Sequence, residues 1–113
     1  MMNRAEYLEL QNIRMQERYK QALKKTRDGL CWGKTPDGKH VVFYLCTQLR
    51  SEMDYERWLH DWQTRREFTD RWYEVEIYGG ETINLGDEKE FRDKWGAPYK
   101  WLEAQGWKVD GCD

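Results

Sequence analysis

The segment GLCWGKTPDGK, from Gly29 to Lys39, contains the Gly-Lys-Thr that ends a nucleotide-binding phosphate loop, yet its other residues favour a β-hairpin. In a phosphate loop the first glycine precedes the second by about five positions, and a helix begins at the lysine. Here Gly29 precedes Gly33 by four positions, and Thr35 is followed by Pro-Asp-Gly, which is typical of a type I turn with a bulge. Because β-forming residues flank the turn, we predict a hairpin over about residues 30–46 and no phosphate site.

A second hairpin is predicted over about residues 71–85. Apolar and polar side chains alternate through its first half, and two glycines then turn the chain. A two-residue loop would pair Glu76 with Ile83 and mix the two faces of the ribbon. We therefore expect a three-residue loop that includes Glu81 and pairs Ile77 with Ile83.

Three helices are predicted from apolar spacing and from capping residues. They span about residues 4–27, 52–68 and 88–105, and a Gly-Ala-Pro triplet interrupts the third. Trp58 and Trp62 lie at helical spacing in the second helix, so both are expected in the core.

These elements describe an α+β fold, with an antiparallel sheet of two hairpins and three helices in a single domain of residues 1–113. Trp107-Lys108-Val109 is predicted to form a short C-terminal edge strand, and the tail from Asp110 to Asp113 is predicted to fray. Three cysteines without a C-x-x-C spacing are expected to be free thiols, with Cys31 as a small core residue.

The first helix, counted with its caps as residues 3–28, carries a heptad-spaced stripe that has two interpretations. The stripe consists of Ala5, Leu8, Asn12, Met15, Tyr19 and Ala22. Such a stripe is typical of a face that packs on the protein's own core. The alternative, which the small number of Leu and Ile residues disfavours, is a short coiled coil through which two copies of the chain would form a homodimer.

The composition indicates a folded, tryptophan-rich protein with little net charge. The 113 residues include seven Trp and seven Tyr, and the formal net charge is −2. No apolar run approaches the roughly 18 residues that a membrane-spanning helix requires. The N-terminus lacks the apolar segment of a signal peptide, so we expect a cytoplasmic protein with no membrane partner.

No pattern in the sequence indicates catalysis, so we expect a protein that is not an enzyme and that uses no cofactor. His40 and His60 lack partners at the spacing of metal ligands, and no metal site is predicted. His60 and Asp61 would point about 100° apart on a helix, which prevents an orienting pair. Glu74 and Glu76 share a strand face, but two carboxylates alone hold a hard cation poorly and are expected to be solvated.

Aromatic residues on the strands point instead to binding. Four of them lie on hairpin faces opposite the aliphatic sides: Trp32, Tyr44, Trp72 and Tyr78. If both hairpins join one sheet with helices on its other face, the four side chains form an aromatic platform. Polar residues would flank this platform: Lys34, His40, Glu74 and Glu76. If the first helix covers the face, the aromatic side chains form a second core layer instead.

The platform predicts a non-enzymatic protein-binding module, an adaptor or inhibitor of the small kind carried by bacteria and phages. The alternative is binding of single-stranded nucleic acid or a nucleotide by base stacking on the same face. Arg14, Arg18 and Lys25 of the first helix would then contact phosphates. The acidic Glu74 and Glu76 weigh against this alternative.

Overall fold

The computed structural model describes residues 1–113 and contains one antiparallel sheet of five strands with five helices. The elements in chain order are α1 (Arg4–Leu23), β1 (Thr26–Lys34), β2 (His40–Leu49), α2 (Tyr55–His60), α3 (Trp62–Glu67), β3 (Thr69–Ile77), β4 (Thr82–Asp87), α4 (Glu88–Trp95), α5 (Pro98–Ala104) and β5 (Lys108–Cys112). The strand order is β4-β3-β2-β1-β5. The predicted α+β fold with two hairpins is therefore confirmed, and β5 is an edge strand. None of the helices has both the length and the apolar character needed to cross a membrane.

The chain forms two compact units. The first consists of Met1–Thr26 and Thr47–Asp70, and the second of Arg27–Cys46 and Arg71–Asp113. Helices α1, α2 and α3 belong to the first unit, whereas α4, α5, β4 and β5 belong to the second. Strands β1, β2 and β3 contribute residues to both. The single domain of residues 1–113 stays a prediction.

The first unit is held together by a small core in which aromatic rings meet α1. Met53 and Trp58 are buried there, and Tyr19 of α1 packs against them. The Tyr19 ring lies edge-on to that of Trp58 with centroids 5.5 Å apart, and its hydroxyl donates a 2.8 Å hydrogen bond to the Met53 carbonyl. The C-terminal half of the helix stripe thus packs within its own unit. Leu8 in the N-terminal half is exposed, and the homodimer stays a prediction.

The predicted second helix is in fact two short helices that meet at Asp61. This residue ends α2 and is the N-cap of α3, where its carboxylate accepts a 2.9 Å hydrogen bond from the Thr64 amide. Because the helix is interrupted at Asp61, Trp62 does not continue the helix face on which Trp58 lies. Trp58 is buried as expected, but Trp62 is 65% exposed, so its predicted place in the core is wrong.

Substitution of the Asp61 cap is expected to destabilise the first unit, because α3 loses the acceptor for its first amide groups. Hydrogen bonds from the Thr64 hydroxyl and amide hold the pKa of Asp61 below its ordinary value. The carboxylate's stabilising contribution is therefore complete above the unfolded-state pKa and is lost as the pH falls through the lower native pKa. We expect Asp61→Ala to lower the midpoint of urea unfolding at neutral pH.

Urea unfolding at neutral and acidic pH checks this expectation. Asp61→Asn keeps a capping oxygen but cannot titrate, so it should retain most of the stability at neutral pH and lose part of the acid dependence. An Asp61→Ala protein with the wild-type midpoint would contradict the assigned role.

Several element boundaries differ from those predicted. Helix α1 ends at Leu23 rather than near residue 27, so Lys25 lies outside the helix. The third predicted helix is interrupted as expected: Gly96, whose φ of 82° is in the left-handed region, separates α4 from α5. The tail does not fray, because β5 extends to Cys112 and pairs with β1.

A disulfide bond joins Cys31 of β1 to Cys112 of β5, two residues that lie directly opposite each other in the sheet. The prediction of free thiols is therefore wrong for this pair, while Cys46 is buried outside the bridge. Cys31 does lie in the core, as expected. The pairing escaped the sequence because it depends on β5 meeting β1, and no local pattern specifies which strand an edge strand joins.

The core of the second unit lies between the sheet and helices α4 and α5. Phe43 and Tyr73 of the sheet contact Phe91 of α4, with ring centroids 5.5 Å and 4.9 Å from it. Trp101 and Leu102 of α5 complete this buried cluster. Alternate residues of the same strands point away from the helices, and they form the face considered below.

The first hairpin has the predicted turn. The Thr35 amide donates a 2.9 Å hydrogen bond to the Lys39 carbonyl, and Gly38 has a φ of 86°, as a bulged turn requires. The Thr35 hydroxyl binds the Asp37 carboxylate and holds its pKa below the ordinary value. The Gly-Lys-Thr sequence therefore ends a strand and does not begin a helix.

The second hairpin has a three-residue loop, but its position differs from the prediction. The Ile77 amide donates to the Glu81 carbonyl at 3.1 Å, so the loop is 78–80 and Glu81 belongs to the closing pair. Val75 consequently lies opposite Ile83, the residue that we had expected opposite Ile77. Next to the loop the register is thus shifted by two residues, which keeps Val75, Ile77 and Ile83 on the expected face, and a bulge follows between Tyr73 and Glu74.

Candidate functional site

A shallow groove of about 170 Å³ lies on the sheet face that points away from α4 and α5. It is lined by His40, Val42 and Tyr44 of β2, by Glu76 of β3, and by Tyr78, which directly follows β3. We call it the tyrosine groove. The Tyr78 side chain is 78% exposed, whereas Tyr44 is half-buried at the base.

Backbone geometry explains why Tyr78 stands at this groove. Its amide donates a 2.8 Å hydrogen bond to the His40 carbonyl, so the residue stays attached to β2 after the β3–β4 ladder has ended. The chain then turns at Gly79, whose φ of 72° a residue with a Cβ adopts only with strain. The Tyr78 phenol is therefore presented by a constrained turn.

A cation from β1 lies beside the groove. The guanidinium of Arg27 lies 4.0 Å from the centroid of the Tyr44 ring, and its Nη1 lies 3.3 Å from Oε2 of Glu76. Its Nη2 also lies 3.8 Å from Oε1 of Glu74. This side of the sheet thus already holds one arginine between an aromatic face and carboxylates, which is a favourable environment for a cation.

Glu74 differs from the expected solvated flank because it is only 4% exposed. Its Oε2 accepts a 2.6 Å hydrogen bond from the Trp72 indole Nε1, and Arg27 lies on its other side. These contacts take the carboxylate out of solvent. The sequence pattern gave no sign of them, because alternation predicts which face a side chain occupies and not what lies over it.

Trp32 occupies a different part of the unit. Its indole lies over Gly111 of β5, so close that a Cβ on that glycine would fall 2.5 Å from Trp32 Cζ2. Trp32 is 43% exposed and does not line the tyrosine groove, and Lys34 is likewise exposed outside it. Close approach of the indole explains why the residue at position 111 lacks a side chain.

The predicted platform is therefore only partly assembled. The groove brings together four of the predicted residues: Tyr44, Tyr78, His40 and Glu76. Arg27 pairs with both Glu76 and Glu74, and Glu74 accepts the hydrogen bond from Trp72. Sequence reasoning missed Arg27, which it had placed at the end of the first helix. The apolar stripe of that helix already ends at Ala22, and this was the signal that the helix ends before residue 27.

The three residues proposed for phosphate contacts do not share a helix face. Arg14 and Arg18 are exposed on α1, but Lys25 follows the helix, whose C-cap Lys24 is already extended. The joint placement of all three on the first helix is wrong, because the helix is one turn shorter than its charges indicated.

A larger concavity of about 500 Å³ offers a less convincing site. It is lined by Trp62, Gln63, Arg66 and Glu67, which all belong to α3, so it is the side of one helix and not an enclosed space. No group of three or more His, Cys, Asp or Glu side chains is placed to hold a metal ion.

Comparisons of this chain with protein-family models, with curated proteins and with solved structures found no match.

Proposed function

We propose that this protein is a non-enzymatic binding module, an adaptor or inhibitor, that captures a protein partner on the tyrosine groove. The observation that carries the proposal is the exposure of Tyr78 on a constrained turn beside Tyr44, His40 and Glu76. Tyrosine supplies a large contact area with few rotatable bonds, and it is enriched among the residues that dominate the energy of protein interfaces.

Charge favours a protein over a nucleic acid as the partner. Glu76 lines the groove and Glu74 adjoins it, so a phosphate backbone on this face would meet two carboxylates, both of which already pair with Arg27. A protein surface can match such a mixture of charge with its own side chains.

The proposal predicts that Tyr78→Ala weakens capture of the partner by about tenfold or more, since truncating a central aromatic residue removes most of its contact. The measurement is affinity capture from cells of the source organism, followed by identification of the retained protein and titration of that protein against each variant. Tyr7→Ala is the matched control, because Tyr7 is an exposed tyrosine on α1 and belongs to the other unit.

Loss of the same protein with Tyr78→Ala and its retention with Tyr7→Ala would support the proposal. Equal capture by wild type and Tyr78→Ala would overturn it. Retention of nucleic acid, with affinity that falls steeply as salt is raised, would favour the stacking alternative instead.

A further inference from the structure

We propose that the partner inserts a basic side chain, an arginine or a lysine, into the tyrosine groove; this inference rests on the proposed function. The ligand class is thus a cation carried on a peptide chain. It would lie against the ring of Tyr78 and pair with the carboxylate of Glu76.

The protein's own Arg27 shows how this face holds a cation. Its guanidinium combines an aromatic contact, 4.0 Å from the Tyr44 centroid, with an ion pair to Glu76 at 3.3 Å. Both kinds of contact attract a guanidinium or an ammonium group, and they are stronger where solvent is partly excluded. On the side that Tyr78 forms, the groove offers a second aromatic ring together with the same carboxylate, that of Glu76.

Tyr78 and Glu76 retain surface for an incoming group. Tyr78 is 78% exposed and the Glu76 side chain is 45% exposed, although Glu76 already binds Arg27 through Oε2. A carboxylate has two oxygens and several acceptor sites, so it can pair with two cations at once. A second basic side chain can therefore bind without displacing Arg27.

The net charge of the second unit also favours a basic partner. The second unit contains nine Lys and Arg residues and twelve Asp and Glu residues, a net charge of −3 with His neutral, while the first unit is close to neutral. An anionic unit attracts a basic partner and repels an acidic one at moderate ionic strength. Among the possible occupants of this face, charge complementarity therefore selects a basic one.

A pair of small probes tests the proposal on the whole protein. Nα-acetyl-arginine amide and Nα-acetyl-citrulline amide have nearly the same shape, but only the first is charged. In nitrogen–proton correlation spectra we expect the arginine probe, raised to tens of millimolar, to shift the amides of His40, Glu76 and Tyr78. The citrulline probe should bind at least about threefold more weakly, because it lacks the charge on which cation–π and ion-pair contacts depend.

Glu76→Gln should weaken binding of the arginine probe by about threefold to fivefold, since it removes the exposed ion pair. Glu103→Gln is the matched control: Glu103 is an exposed glutamate on α5 in the same unit, so the change in net charge is identical. Equal shifts with both probes, no shifts with either, or equal weakening by both substitutions would overturn the inference.

The two proposals fail separately. If Tyr78→Ala abolishes partner capture but the groove does not prefer the arginine probe, the proposed function is supported and the proposal of an inserted basic side chain is wrong. If the groove binds the arginine probe but Tyr78→Ala captures the partner normally, the proposed function is wrong.

Discussion

Reduction of the disulfide between Cys31 and Cys112 is expected to lower the free energy of unfolding by about 2–4 kcal/mol. The bridge links residues with a sequence separation of 81, so it restricts a large part of the unfolded chain. Chain-entropy arguments give about 4.5 kcal/mol for a loop of that length, and measured values are commonly smaller. The bridge also holds the edge strand β5 against β1.

Chemical denaturation with and without a thiol reductant measures this effect. Cys112→Ser provides the control: it should have the stability of the reduced wild type, and the reductant should leave it unchanged. Alkylation followed by mass spectrometry should find one reactive cysteine in the unfolded oxidised protein, Cys46, and all three after reduction. Three alkylated cysteines without reductant would show that the bridge does not form.

Phe43→Ala is expected to lower the free energy of unfolding by about 3–5 kcal/mol, the usual cost of truncating a buried phenylalanine. Phe43 is fully buried in the middle of the second unit's core. Its ring centroid lies 5.0 Å from that of Tyr73, 5.5 Å from that of Phe91 and 6.3 Å from that of Trp101. Its removal would leave a cavity between sheet and helices that these rings can fill only in part.

Equilibrium unfolding monitored by tryptophan fluorescence tests the prediction. Phe43→Leu keeps much of the apolar volume and should cost clearly less than the alanine variant. Tyr78→Ala, on the opposite face, should stay within about 0.5 kcal/mol of wild type because its side chain is exposed. A Phe43→Ala protein as stable as Tyr78→Ala would mean that the assigned core is wrong.

The fold class was predictable because its signals are local. Alternation of apolar side chains between Arg71 and Tyr78 identifies a strand with two different faces, and Pro36-Asp37-Gly38 identifies a hairpin turn. Each signal involves residues only a few positions apart. The faces assigned to Phe43 and Tyr44 followed from the same periodicity, so the core side and the groove side were separated correctly.

The errors lie where a local pattern permits more than one outcome. A shift of two residues in the second hairpin leaves each face intact, so alternation could not distinguish Val75 opposite Ile83 from Ile77 opposite Ile83. The second helix was predicted to continue past Asp61, since an aspartate within a helical pattern can be an interior residue or a cap. Only the fold shows that it caps α3.

The sequence by itself determined that two hairpins form, where the first one turns, and the faces on which Phe43, Tyr44, Tyr73 and Tyr78 lie. These features depend on periodicity and on backbone restrictions of neighbouring residues. The tertiary structure decided that Arg27 meets Glu76, 49 positions away, and that Cys31 meets Cys112. Such contacts follow from the order of strands in the sheet. That order is set by the packing of the whole chain, so no short segment specifies which cation reaches the groove.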